Sequence, residues 1–251
     1  MAKTNLMFII ENNKDIKIDM INPFLSEMGK EDEEGNTALM YLCKNKYANI
    51  CDIIPLLSPE IGKQNKEGKT ALMYFIETYI LNGDDLKKYM YILNMLKNEI
   101  SLTDNNKNTA FMTLFLNTCD SIIDKSVFKL FYKEIGLQNN EGKTALMRSF
   151  CGDTEKIVLK ENLLYMENEI GLQDKYGKTA LSYMFENIIL AGNDTFEVIK
   201  KLYESEGDIK DKKGNFPIQY IQYFEENQEK LLYDCMKLGI EEIITIFRKN
   251  I

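Results

Sequence analysis

Three Gly-Lys-Thr triplets, at Gly68, Gly142 and Gly177, come nearest to recognisable chemistry in this chain, each with a glycine upstream at Gly62, Gly136 or Gly171. The pairing suggests a phosphate-binding loop. Such a loop needs four residues between its glycines, so that successive backbone N–H groups curl around phosphates, and it joins a strand to a helix. Here five residues intervene, the upstream segment reads as helix, and three copies are too many for one nucleotide pocket. Acidic pairs (Glu33 with Glu34, Asp84 with Asp85, Glu241 with Glu242) have the groups for acid–base or metal work, but a solvated surface accounts for them. Histidine is absent, which removes the commonest general base and metal ligand and any Ser/His/Asp or Cys/His triad. The five cysteines (Cys43, Cys51, Cys119, Cys151, Cys235) contain no C-x-x-C pair and suit buried, reduced thiols. The expectation is a chain without catalytic residues, metal or cofactor.

Charge and hydropathy narrow the partners. A net charge of −8 repels a phosphate backbone, and no dense basic face offsets it, so nucleic acid is not expected. No run of eighteen apolar residues exists, and Met1-Ala-Lys-Thr-Asn lacks the layout of a secretory signal. The expected setting is soluble and cytoplasmic, with no membrane contact. Apolar residues make up 45% of the chain and prolines number only four, so it should be folded throughout.

The elements that carry the triplets recur. The phrase E-I-G-x-x-[DN]-x-x-G-K-T-A-L is complete from Glu169 to Leu181, and its threonine returns as Thr4, Thr37, Thr70, Thr109, Thr144 and Thr179, with Phe216 in the seventh slot. The spacings are 33, 33, 39, 35, 35 and 37 residues. A repeat of that length is one supersecondary unit that buries its apolar face only by stacking on its neighbours. After each threonine, apolar residues follow at two, five and six positions, as in Leu72, Phe75 and Ile76 or Leu181, Met184 and Phe185. That spacing makes one stripe of a first helix, with the threonine placed to cap it. A second apolar segment, such as Val127, Phe128, Leu130 and Phe131, predicts a second helix that runs into E-I-G and then a polar [DN]-x-x-G turn.

Helix, helix and a D-x-x-G turn leading into G-x-T-[AP]-L resembles the ankyrin repeat over almost the whole chain. Asp32, Asn65, Asp104, Asn139, Asp174 and Asp211 match the family's aspartate, Gly35, Gly68, Gly142, Gly177 and Gly214 its turn glycine, and Pro217 its proline. The resemblance implies an all-α solenoid of about seven stacked repeats. Residues 1–31 would form an N-terminal capping repeat, 32–210 five full repeats, and 211–251 a C-terminal repeat and cap, in one domain without an internal boundary. Leu231 to Phe247, with Ile240, Ile243 and Ile244, would cover the last repeat. Two departures stand out. Met40, Met73, Met112 and Met147 replace the family's histidine, so the Thr–His network cannot form, and packing between repeats is expected to rest more on apolar contact. Lys107 replaces one turn glycine. Pro55 must open its helix or kink it. The two longest copies insert Asn82 to Asp85 and Gly192 to Asp194, which lengthen a first helix by about a turn.

In proteins of this family the turn tips and the exposed face of the first helix line a concave groove that holds the partner. By register the tips are Glu33 and Glu34, Lys66 and Glu67, Asn105 and Asn106, Asn140 and Glu141, Lys175 and Tyr176, and Lys212 and Lys213. The residue before each threonine joins them: Asn36, Lys69, Asn108, Lys143, Lys178 and Asn215. Tyr223 adds an aromatic anchor. Tips change sign from Glu31-Asp-Glu-Glu34 to Lys210-Asp-Lys-Lys213, a gradient able to steer a partner of opposite polarity. The reading is a non-catalytic module for binding protein. The alternatives are a fixed subunit of a larger assembly and, more remotely, a nucleotide-binding enzyme using the Gly-Lys-Thr turns.

Overall fold

In the computed structural model, residues 2–46, 49–80, 86–118, 123–151, 160–186 and 193–220 are described. They are helical and turn-forming, with an isolated bridge between Thr103 and Thr109 and no strand among them. The chain clusters into two compact units, Met1–Thr118 with Ile123–Glu134 and Cys119–Ile122 with Ile135–Ile251. The first unit carries α1 (Asn5–Asn12), α2 (Ile18–Ile21), α3 (Ala38–Lys44), α4 (Ile50–Ile53), α5 (Ala71–Phe75), α6 (Leu86–Met95), α7 (Ala110–Thr118) and α8 (Lys125–Leu130). The second carries α9 (Ala145–Ser149), α10 (Lys160–Leu163), α11 (Ala180–Glu186) and α12 (Asn193–Glu206).

Odd-numbered helices begin at the recurring threonine. Thr4, Thr37, Thr70, Thr109 and Thr144 each accept the N–H three residues on, at 3.2–3.4 Å, a cap worth about 1 kcal/mol. Two residues past the threonine, Leu6, Leu39, Leu72, Phe111, Leu146 and Leu181 are wholly buried, and the methionines three past it are buried with them. In the first unit α3 packs against α1 and α5, and in the second α11 packs against α9 and α12. The longer copy at Thr70 extends α5 through a π-turn, Ile76–Ile80, whose Tyr79 stacks on Phe75 at 4.9 Å and meets Tyr89 edge-on. Asn82 to Asp85, Gly192, Cys119, Cys235, Tyr223, Glu241, Glu242 and Leu231 to Phe247 lie outside the described residues. Of the other cysteines, Cys43, Cys51 and Cys151 are free thiols.

Pro55 neither opens nor kinks its helix. α4 stops at Ile53, and Pro55 falls in the turn beyond it, where its missing N–H and its ring prevent the helix from continuing. A short 3-10 turn, Ser58–Glu60, completes the repeat. At the E-I-G position of the copy beginning at Thr70, and at its turn, Ser101 and Lys107 stand where most copies have glycine, yet both keep the left-handed backbone, with φ of 75° and 59°. The Lys107 turn is intact, its N–H reaching the Asp104 carbonyl at 2.8 Å.

Beside the buried apolar contacts, the linkage between repeats has a polar centre that the expectation of mainly apolar packing did not include. The glutamate of E-I-G is buried in every copy from Glu60 onward: Glu60, Glu99, Glu134, Glu169 and Glu206 are at most 1% exposed. One carboxylate oxygen accepts the N–H of the preceding copy's loop, from Gly29, Gly62, Ser101, Gly136 or Gly171, at 2.6–3.0 Å. The other accepts the N–H in the first turn of its own inner helix, from Leu39, Leu72, Phe111, Leu146 or Leu181, at 2.6–2.7 Å. Each glutamate therefore ties one repeat to the loop before it and satisfies donors that a helix start leaves open.

Candidate protein-binding surface

Each tip is built by its aspartate or asparagine. One side-chain oxygen of Asp32, Asn65, Asp104, Asn139, Asp174 and Asp211 accepts the N–H groups two and four residues on, at 2.7–3.0 Å. The other oxygen of Asp32 accepts the Tyr41 hydroxyl at 2.7 Å, that of Asp174 accepts Tyr183 at 2.6 Å, and that of Asp211 accepts Tyr220. At Asn65 the direction reverses, its amide donating to the Tyr74 hydroxyl at 2.9 Å. The recurring tyrosines thus brace the turns from the inner helices. Burial, then the neighbouring Asp32 or Asp211 carboxylate, pushes the Tyr41 and Tyr220 hydroxyls up to about 12.

Adjacent tips are joined by one backbone bond each. Within the first unit Lys66 N–H reaches the Glu34 carbonyl and Asn105 N–H the Glu67 carbonyl, both at 2.9 Å. In the second unit Lys175 bonds Glu141 at 2.8 Å and Lys212 bonds Tyr176 at 2.9 Å. The turn glycine is required by this approach: a Cβ on Gly142 or Gly177 would stand 2.7 Å from the next tip's nitrogen.

The sequence-predicted residues divide by exposure. Glu33, Glu34, Lys66, Glu67, Asn105, Asn106, Asn140, Lys175, Tyr176, Lys212 and Lys213 are exposed, and Lys69, Asn108, Glu141, Lys143, Lys178 and Asn215 are half-buried. Asn36 is a correction. It is buried, and its amide bonds Asp32 at 3.1 Å while its oxygen accepts from Lys44 and Asn65, so it belongs to the framework. Asn108 and Asn215 fold back in the same way onto Asp104 and Asp211. Tyr223 is outside the described residues.

Lysines overlie the bracing tyrosines. In the first unit Lys3 and Lys44 lie over Tyr41 at 4.8 and 5.4 Å, and Lys44 lies over Tyr74 at 3.9 Å. In the second, Lys143 and Lys178 lie over Tyr183 at 4.8 and 5.5 Å, and Lys178 over Tyr220 at 4.3 Å. Several also pair with carboxylates, Lys69 with Glu77 at 2.9 Å, Lys178 with Glu186, and Lys143 with Glu141 at 3.2 Å. Lys44 has no ion pair among the described residues, and burial holds its pKa below the ordinary lysine value. Sequence reasoning passed over Lys44, Arg148 and Phe8, the last 60% exposed at the position four other copies give to tyrosine. Their signal was the columns four and seven residues after the threonine.

Among the described residues no group of acidic, cysteine or histidine side chains has a metal-binding arrangement, and no helix is long and apolar enough to cross a membrane. The N–H groups of Gly62, Gly136 and Gly171, which a phosphate loop would turn toward its ligand, point at Glu99, Glu169 and Glu206.

No protein-family model and no curated protein matches the sequence. Solved structures do match. The ankyrin repeat domain of Bcl-3, a member of the IkappaB family, aligns at TM-score 0.57 and 12% identity, over 88% of this chain and 95% of that one. A chain of the Bd0816 predatory endopeptidase complex with immunity protein Bd3460, from Bdellovibrio bacteriovorus, aligns at TM-score 0.56 and 19% identity, over 80% and 99%. With the threonine-capped helix pairs and the stacked turns, these alignments show that the chain has the ankyrin-repeat fold.

Proposed function

We propose that the chain is a non-catalytic module that binds a protein partner through its turn tips and the exposed face of its inner helices. One observation carries the reading. The residues that repeat, threonine, glycine, Asp or Asn and glutamate, are engaged in the framework, whereas the side chains that differ between copies, from Glu33 and Glu34 to Lys212 and Lys213, are the exposed ones. Function resides in sites rather than folds, and here the variable, solvent-facing set is a row of charged, amide and aromatic groups suited to recognition. The Bdellovibrio structure is that of an endopeptidase in complex with an immunity protein, which is consistent with that use of the fold. The nucleotide alternative is disfavoured because its would-be phosphate donors already serve carboxylates.

The test is a pull-down from native lysate with the full chain and with Lys175→Glu/Tyr176→Ala, read by mass spectrometry. Capture of a protein that the variant loses supports the tips as the contact. Equal capture by both moves the contact elsewhere, and no specific capture by either counts against an interaction module.

A further inference from the structure

We propose that the tip ridge of the second unit is a receptor for an acidic, extended segment of a partner protein, with Tyr176 as its apolar anchor and Lys175, Lys210, Lys212 and Lys213 as its cations. The inference rests on the interaction-module reading and names the partner's chemistry. Lys210, Lys212 and Lys213 are exposed and make no ion pair among the described residues. The carboxylate between them, Asp211, is engaged by the N–H groups of Lys213 and Asn215 and by the Tyr220 hydroxyl. Those bonds outweigh its burial and keep its pKa low, so it stays a buried anion facing its own turn. Three lysines against one inward aspartate leave the outer side of this turn cationic on a chain whose net charge is −8.

The adjacent tip supplies the aromatic. Tyr176 is 54% exposed, Lys175 lies 4.9 Å from its ring centroid, and its carbonyl accepts Lys212 N–H at 2.9 Å, so ring and cations stand on hydrogen-bonded neighbouring turns. Lys175 also touches Glu141, but that pair is solvent-exposed at 3.3 Å and exchanges readily for a stronger acceptor. An exposed ring flanked by available cations fits a peptide presenting carboxylates beside an apolar side chain. Successive tips form a row, which suits an extended segment whose alternate side chains face one way.

A single-stranded nucleic acid fits less well. It requires successive stacking platforms, and the tyrosines that brace these tips are covered by lysines. Tyr183 lies under Lys143 and Lys178 and is buried, and Tyr220 lies under Lys178. Glu141 and Glu186 on the same side would also repel phosphates.

The full chain is used to select from a library of random dodecapeptides, and the selection is repeated with Lys212→Glu/Lys213→Glu after its melting curve is matched to wild type. The expected result is enrichment of Asp- and Glu-rich peptides carrying an aromatic or leucine. Their dissociation constants, from fluorescence anisotropy, should weaken about tenfold or more in the variant and should weaken with added salt. Enrichment without acidic residues, no enrichment, or acidic peptides bound equally by both proteins overturns the proposal. Tighter binding of a single-stranded oligonucleotide, lost in the same variant, overturns it in favour of nucleic acid. Because lysate capture does not depend on the partner being acidic, a captured protein together with a failed peptide selection would leave the module reading standing without this one.

Discussion

Glu169→Gln isolates the carboxylate that links repeats, because it keeps size and shape and changes one acceptor into a donor. Wild-type Glu169 accepts Gly136 N–H at 3.0 Å and Leu146 N–H at 2.7 Å. The glutamine oxygen retains one of these bonds, and its amide then faces the other N–H with no lone pair to offer. Losing a bond to a charged group costs about 1.5–3 kcal/mol, and relief of the buried charge returns part of it, leaving a net loss of about 2 kcal/mol. For a chain of this size that lowers the melting temperature by about 4–8 °C. Urea titration followed by circular dichroism measures the loss, with Glu167→Gln as the control. Glu167 is exposed in the same short turn and, among the described residues, pairs with Lys201 at the surface, so its change should stay within about 0.5 kcal/mol. Equal stability of Glu169→Gln and wild type would refute the claim that buried carboxylates hold the stack together.

Burial raises the pKa of Glu99, Glu134, Glu169 and Glu206 above the ordinary 4.5, their backbone hydrogen bonds pulling the other way. A raised acid contributes stability that is complete below about pH 4.5 and lost as pH rises through its folded value, so urea midpoints should fall on going from that pH toward neutrality, less steeply in Glu169→Gln. A flat or rising profile would contradict this sign. Lys107→Gly should stabilise by about 0.5–1 kcal/mol by relieving a left-handed lysine, whereas Gly142→Ala, at φ 75° and facing the Lys175 nitrogen, should cost about 2–4 kcal/mol. Chemical denaturation of both reads the contrast, and similar losses would mean the turns do not set it. Leu181→Ala, wholly buried, should lose about 2–5 kcal/mol, while Lys175→Glu/Tyr176→Ala should lose less than about 0.5 kcal/mol, compared by differential scanning calorimetry.

The parts of this fold that act locally were legible in the sequence. A threonine caps a nitrogen three residues away, and an aspartate closes a turn four residues long, so both leave their mark within one copy. The glutamate does not. Its two bonds span 21 to 37 residues in sequence, and nothing within a single copy announces where they end. The available signal was the constancy of Glu27, Glu60, Glu99, Glu134, Glu169 and Glu206, since a solvated carboxylate has no physical reason to stay fixed while its exposed neighbours vary. Asn36 was misread for a related reason. The column before the threonine holds lysines that reach outward and asparagines that bend back to the turn, and only side-chain length separates them.

The resemblance to a phosphate loop, which spacing argued against, has a physical basis. A helix start presents several N–H groups with no internal partner, and their summed dipoles favour an anion there. A phosphate loop leaves that anion site open for a ligand. In this chain each E-I-G glycine and the next helix start converge on the same point, and a glutamate from the end of that repeat fills it. The Gly-Lys-Thr triplets are therefore anion sites with the anion built in, and the lysine between glycine and threonine, not needed to hold it, is free to turn outward, as Lys178 does toward Glu186 and the Tyr220 ring. The side chains that the carboxylate framework does not use are thereby the ones left for the proposed recognition.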